Sequence, residues 1–443
     1  MQSVDLIISA PWVLPIAPDD TPLTDHAVAI DQGHIVALLP IKVMAERFEA
    51  NTTHHLPHHI LMPGLVNAHT HTPMSLFAGM ADDLALMDWL QSHIWPAEAA
   101  IITPESVAAG SELAIAHMIR SGTTCFNDHY LFPGATAEVV KQTGIRACLG
   151  LFVIDAPTPW APDGRSGLAQ GLALHDNSES HPRITWALAP HAPYTVSDET
   201  LKALHAASTA RQLPIHMHLH ETAYEVEEAL RTSGQRPIAR LAELGLLSPQ
   251  FIAVHMTQLN ADDYRLIQDS GLSVVHCPES NLKLASGFCP THTLLEKNIN
   301  LAIATDGAAS NNDLDLFGEI KTAALLAKGC AQDPTALPAH TALKMATLQG
   351  ARALGLDHLI GSIEAGKAAD LIAIDIDPIT QYPIFNPASH LTYASGGEHV
   401  SHTWVAGRLL MENKTLCHID TDALKARCAP FLQQAQTHQY PAR

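Results

Sequence analysis

Between residues 61 and 361, short apolar runs alternate with stretches of helical period, and the alternation repeats eight times. The runs end at Val66–Ala68, Thr124–Phe126, Leu149–Val153, Trp186–Ala189, Ile215–Leu219, Ile252–Val254, Val274–Val275 and Leu301–Ala304. A short apolar run bounded by turns reads as a strand buried on both faces, and alternation with helices makes the sheet parallel. Helical periods at Pro104–Arg120, Thr200–Arg211, Gln235–Leu244 and Ala261–Ser270 fill several of the gaps. Eight such units predict a (β/α)8 barrel, a TIM-like α/β fold whose usual size is ~250 residues plus insertions. A doubly wound sheet would alternate in the same way, but no G-x-G-x-x-G or phosphate-binding loop follows the early strands.

The two ends of the chain differ from this middle. Val4–Ser9, Ala27–Ile30 and Ile35–Leu39 are β-rich, as are Leu371–Ile376, His402–Val405 and Leu409–Met411. Each end has too few strands to bury a face alone. Residues 1–60 and 362–443 are therefore expected to pair as one small β-sandwich domain beside a catalytic barrel at 61–361.

The chain has 443 residues, and Lys+Arg 25 against Asp+Glu 45 leaves a net charge of −20. That balance repels nucleic acid and anionic membranes, so neither is expected as a partner. No apolar run approaches the ~18 residues that span a bilayer, and the N-terminal stretch lacks the basic and apolar regions of a signal peptide. The seven cysteines are scattered and never in C-x-x-C, which fits reduced thiols in a cytoplasmic protein.

Barrel enzymes place their chemistry at the C-terminal ends of strands. Here those ends carry His69 and His71, His191, the run His216 to Glu221, His255, His276 and Asp306. His69 and His71 are two apart, so both face the barrel mouth and make half of a metal site. On strand five, His216 and His218 share that parity. Glu221, three residues after His218, favours His218 as ligand and leaves His216 as a deeper, hydrogen-bonded core residue. His220 is expected at the surface or behind the ligands, and His54 to His59 as a solvated connector at the wrong end of the barrel. Three imidazoles with the Asp306 carboxylate suit Zn²⁺, which lowers the pKa of a bound water to ~7. Glu221 is the expected acid/base group, Asp306 a further proton acceptor, and His255 the group that steadies the attacking oxygen.

Four segments together resemble the amidohydrolase superfamily. They are Pro63-Gly64-Leu65-Val66-Asn67-Ala68-His69-Thr70-His71, His218-Leu219-His220-Glu221, Thr305-Asp306-Gly307-Ala308-Ala309-Ser310-Asn311-Asn312 and Gly361-Ser362-Ile363-Glu364-Ala365-Gly366-Lys367-Ala368-Ala369-Asp370-Leu371. Met80-Ala81-Asp82-Asp83-Leu84, Trp89-Leu90, Pro96-Ala97-Glu98, Pro190-His191-Ala192-Pro193-Tyr194 and Ser280-Asn281-Leu282-Lys283-Leu284-Ala285-Ser286-Gly287 resemble its 5′-methylthioadenosine/S-adenosylhomocysteine deaminases. The resemblance implies one zinc per subunit on His69, His71, His218 and Asp306, with Glu221 and His255 catalytic. It implies that Glu98, His191 and His218 meet the substrate, Glu98 at the ribose hydroxyls. It also implies a hydrolytic deamination of an adenine nucleoside and a homo-oligomer. No lysine ends strand four, where related barrels hold a second metal. The alternatives are a deaminase or dechlorinase of guanine, a pterin or a triazine, and a non-catalytic scaffold. Within the resemblance, His276-Cys277-Pro278-Glu279 is a departure that leaves the strand-seven contacts open.

Overall fold

The computed structural model describes residues 1–19 and 21–439. Eight parallel strands follow one another around a barrel: Leu65–Thr70, Thr123–Asp128, Arg146–Val153, Ile184–Pro190, Ile215–Leu219, Phe251–His255, Ser273–His276 and Leu301–Ile303. Each lies where an apolar run predicts it. The first and last strands meet through the Asn67 side chain. Its Nδ2 donates to Thr305 Oγ1 at 2.8 Å and its Oδ1 accepts from the Thr305 N–H at 3.1 Å. The Asp306 N–H adds a bond to the His69 carbonyl at 3.2 Å. This seam brings the metal-ligand candidates of strands one and eight together.

Helix boundaries follow local chemistry. Helix Pro104–Arg120 starts at Thr103, whose side chain accepts from the Ser106 N–H, with proline at its first position. Asn260 and Asp263 form a reciprocal cap on Ala261–Ser270, which ends on left-handed Gly271. The largest core joins strand residues such as Leu151, Met217 and Phe251 to helix residues such as Phe317 and Ile320.

The chain ends build a nine-stranded mixed sheet. Its central joint pairs His59–Pro63 antiparallel with Leu371–Asp375. Leu6, Ile8, Val28 and Ile30 from one end share a buried cluster with Leu371, Ala373 and Trp404 from the other. Arg146, at the start of the third barrel strand, ties this sheet to the barrel. Its Nε and Nη2 donate to the two Asp370 carboxylate oxygens at 2.8 and 3.1 Å, with both side chains buried. The last helix, Thr421–Gln439, belongs in sequence to the β domain but lies against barrel helix Pro104–Arg120, where Cys428 Sγ reaches the Ala109 carbonyl. Asp20 and residues 440–443, assigned by sequence to that domain, lie outside the described residues.

Two local expectations are corrected. His54 and His55 close a strand, Phe48–His55, that pairs parallel with Gln2–Val13, and His59 opens the next strand. Only 56–58 connect them. The polar composition of Phe48–His55 hides its β character, because its pairing comes from a distant strand. Residues 86–101, for which no element is expected, form a continuous helical run with a π turn at Leu90–Ile94. Among the described residues no helix is long and apolar enough to cross a membrane.

Candidate active site

At the C-terminal mouth of the barrel, one nitrogen each of His69, His71 and His218 and an oxygen of Asp306 lie within 4.8 Å of one another. His69 Nε2 and His71 Nε2 are each 3.1 Å from Asp306 Oδ1. The backbone prepares these rings. His71 Nδ1 donates to the His129 carbonyl at 2.6 Å, and His218 Nδ1 to the His191 carbonyl at 2.7 Å. A neutral ring with its proton on Nδ1 presents a lone pair at Nε2. The two Nε2 atoms therefore face each other across 3.2 Å with no proton of their own between them. Neutral rings so arranged make a cation site, and three imidazoles with a carboxylate fit zinc.

Asp306 is held by its neighbours. Ser280 Oγ and Ser310 Oγ both donate to its Oδ2 at 2.7 Å. Burial pushes its carboxyl up, but the His69 and His71 rings against it outweigh burial and hold it well below the ordinary carboxylate range. Asp306 and His255 have φ of 63° and 75°, left-handed backbones that cost roughly 1–3 kcal/mol each and recur at functional sites.

Glu221 and His255 stand beside this cluster, with Glu221 Oε2 3.9 Å from His255 Nε2. Burial raises the Glu221 carboxyl above its ordinary value, opposed by His255. Glu225 supports the loop by accepting the N–H groups of His220 and Glu221 at 2.9 and 2.8 Å. His255 Nδ1 donates to Asn281 Oδ1 at 2.9 Å, which leaves Nε2 toward Glu221.

The site opens into a cavity of ≈ 280 Å³ lined by His71, His191, His218, Glu221, His255, Asp306 and Glu98. His191 Nδ1 bonds Thr195 Oγ1 at 2.9 Å, and burial lowers the ring's pKa to about 3, so it is neutral. Tyr130 donates to Glu98 Oε1 at 2.5 Å, and burial still pushes the Glu98 carboxyl up to about 7. The π turn matters here. Trp89 and Ile94, and Leu90 and Trp95, are five apart, one π turn, so both pairs face the cavity with Glu98.

His216 lies deeper, bonded to His69 Nδ1 at 2.8 Å and to Asn127 Nδ2 at 3.0 Å. His220 departs from the surface expectation. It is fully buried, and it donates to the Gln258 carbonyl while accepting the Ile238 N–H. Its left-handed φ of 53° turns it away from the ligands. His276 is buried outside the cavity lining, and strand seven serves the site through Ser280 and Asn281 on helix Pro278–Lys283. His129, Tyr130, Asn281, Ser280 and Ser310 escaped the sequence reading as site residues. The strand-end rule that finds His191 also finds His129 and Tyr130, which follow Asp128. His129 is buried against His218, with neither ring nitrogen hydrogen-bonded among the described residues.

The amidohydrolase family model matches residues 60–410. The chain belongs to the amidohydrolase family. This amidohydrolase is 47% identical over 426 residues to a 5-methylthioadenosine/S-adenosylhomocysteine deaminase of Saccharophagus degradans, a match covering 96% of each chain. An adenosine deaminase of Xanthomonas campestris, solved with bound zinc, superposes with TM-score 0.97 at 50% identity, covering 98% of this chain and 99% of that one. A triazine hydrolase variant shares the fold at TM-score 0.89 and 22% identity over 96% of this chain and 99% of that one.

Proposed function

We propose that this amidohydrolase removes the 6-amino group of 5′-methylthioadenosine by hydrolysis, releasing ammonia and the inosine analogue. S-adenosylhomocysteine and adenosine are the poorer substrates. The observation that carries this reading is the facing pair of Nε2 lone pairs beside Asp306, set in one cavity with Glu221, His255 and Glu98.

His69, His71, His218 and Asp306 would hold zinc, which when bound would lower the pKa of a water to ~7 and make a nucleophile available at neutral pH. Glu221 moves the proton. Buried and raised above its ordinary value, it accepts a proton from water and passes it to a nitrogen of the adenine ring. Asp306, fixed by Ser280 and Ser310, is a second proton acceptor. His255, oriented by Asn281, turns Nε2 to the attacking oxygen and steadies its developing charge. His191 and His218 flank the base, and Glu98 accepts hydrogen bonds from the ribose hydroxyls.

The 5′ preference rests on the wall. Trp89, Leu90, Ile94, Trp95, Phe152 and Pro157 are apolar, and among the described residues no lysine or arginine lines the cavity. A methylthio group is matched there, whereas a homocysteine carboxylate would lose water without gaining a cation. A bare triazine or guanine leaves Glu98 without a diol. Zinc-loaded protein incubated with 5′-methylthioadenosine is expected to lose adenine absorbance with one ammonia per nucleoside, and kcat/KM is expected to be higher than for S-adenosylhomocysteine. No absorbance change would sink the nucleoside reading.

The same proposal places the enzyme in the cytoplasm as a homo-oligomer. All seven cysteines are free, which supports a reducing compartment. Ile379, Tyr382 and Phe385 are 83%, 77% and 92% exposed on one loop, an apolar surface that a second subunit would cover. Light scattering that finds a monomer would remove the oligomer from the proposal.

A further inference from the structure

We propose that His54, His402 and Glu412 form a second divalent-cation site, outside the barrel, which pins the N-terminal strands of the β domain to its C-terminal strands. A nitrogen of each ring and a carboxylate oxygen of Glu412 lie within 4.8 Å of one another. The three come from separate strands, Phe48–His55, Val400–Val405 and Arg408–Glu412. An ion here would join the two ends of the chain directly.

The rings are prepared as ligands. Ser401 Oγ donates its only proton to the Ala373 carbonyl at 3.2 Å, so at 2.8 Å it accepts from His402 Nδ1–H. That tautomer leaves the His402 Nε2 lone pair free. The Trp404 ring stacks on His402 at 5.4 Å and 7°, which fixes the ring plane. His54 has no hydrogen bond to either ring nitrogen among the described residues and meets the His402 and Trp404 rings edge-on at 6.0 and 5.6 Å. His59 adds a further imidazole 5.8 Å from His402, its buried Nδ1 without a partner.

Charge supports a cation. Asp375 and Asp377 act on His59 from the neighbouring strand end, against His58 and Lys414. Two or three imidazoles with one carboxylate suit a borderline divalent ion such as zinc, cobalt or nickel rather than calcium or magnesium. The ion's role is structural, because the site opens to solvent at Glu412 and touches no residue of the barrel cavity.

Metal is counted by mass spectrometry on protein equilibrated with buffered free zinc. Wild type is expected to hold two ions per chain. The H54A/E412Q variant, altered only at half-buried and exposed positions, is expected to hold one and to keep wild-type deaminase activity. One ion in wild type, or a second ion retained by the variant, overturns the proposal. Trp404 gives a second readout: cobalt(II) added to protein carrying one zinc per chain should quench fluorescence in wild type more than in the variant. Equal quenching in both would also overturn it. Neither readout depends on the nucleoside reading of the barrel site.

Discussion

His71 and His218 stack at 14° with their Nε2 atoms 3.2 Å apart, and each donates its Nδ1–H to a backbone carbonyl. Without a cation between them the lone pairs repel. Chelation is therefore expected to abolish deamination and to lower the melting temperature, and zinc to restore both. Ligand linkage gives about 2.7 kcal/mol of added stability when free metal is 100-fold above its Kd. A chelated protein that keeps full turnover would refute the metal assignment.

Glu221 touches the cluster without being one of its ligands. Glu221→Gln keeps its shape and removes its proton transfer, so kcat is expected to fall about 10²–10⁴-fold. Metal content should stay unchanged. Turnover near wild type would exclude Glu221 as the proton carrier.

Among the described residues, the hydrogen bond of the Asn281 side chain goes to His255. Asn281→Ala is expected to lower kcat about 10–100-fold, the usual scale for losing an orienting partner, with KM for the nucleoside nearly constant. A rise in KM with kcat unchanged would place Asn281 in substrate binding instead.

Glu98 sets the acid side of the pH profile. Burial raises its carboxyl to about 7, so below that pH it is protonated and a poorer acceptor for the ribose hydroxyls. In the free enzyme kcat/KM should rise with pH and level off above about 7. The same shift makes ionisation cost native stability as pH rises from the ordinary 4.5 to about 7. Glu98→Gln should flatten this limb and lower kcat/KM at high pH. An unchanged limb in the variant assigns it to another group.

Arg146→Ala would leave Asp370 buried and unpaired at the joint between barrel and sheet. Breaking a buried pair on one side costs about 3–5 kcal/mol. Denaturant unfolding should show that loss, while kcat of the folded variant at low temperature stays near wild type. A loss under 1 kcal/mol would mean that water reaches Asp370.

Much of this molecule is legible in one dimension because its signals are local. Apolar runs bounded by turns place all eight barrel strands, since a strand buried on both faces must be apolar throughout. The H-x-H spacing of His69 and His71 puts both rings on one face, and the strand-end positions of His218, His255 and Asp306 follow from how a parallel barrel is wound. Asn281 and Ser280 carry no such mark. Their partners, His255 and Asp306, are each 26 residues away, and only the packing of helix Pro278–Lys283 under the barrel mouth makes them part of the site. His54 shows the same limit, read as connector from its neighbours yet placed by the pairing of its strand with Gln2–Val13, which brings its ring to His402. Residue types and their periods determined the barrel and the donor set. Which side chain orients which donor was decided by contacts between segments far apart in the chain, because a hydrogen bond depends on positions in space that no local pattern encodes.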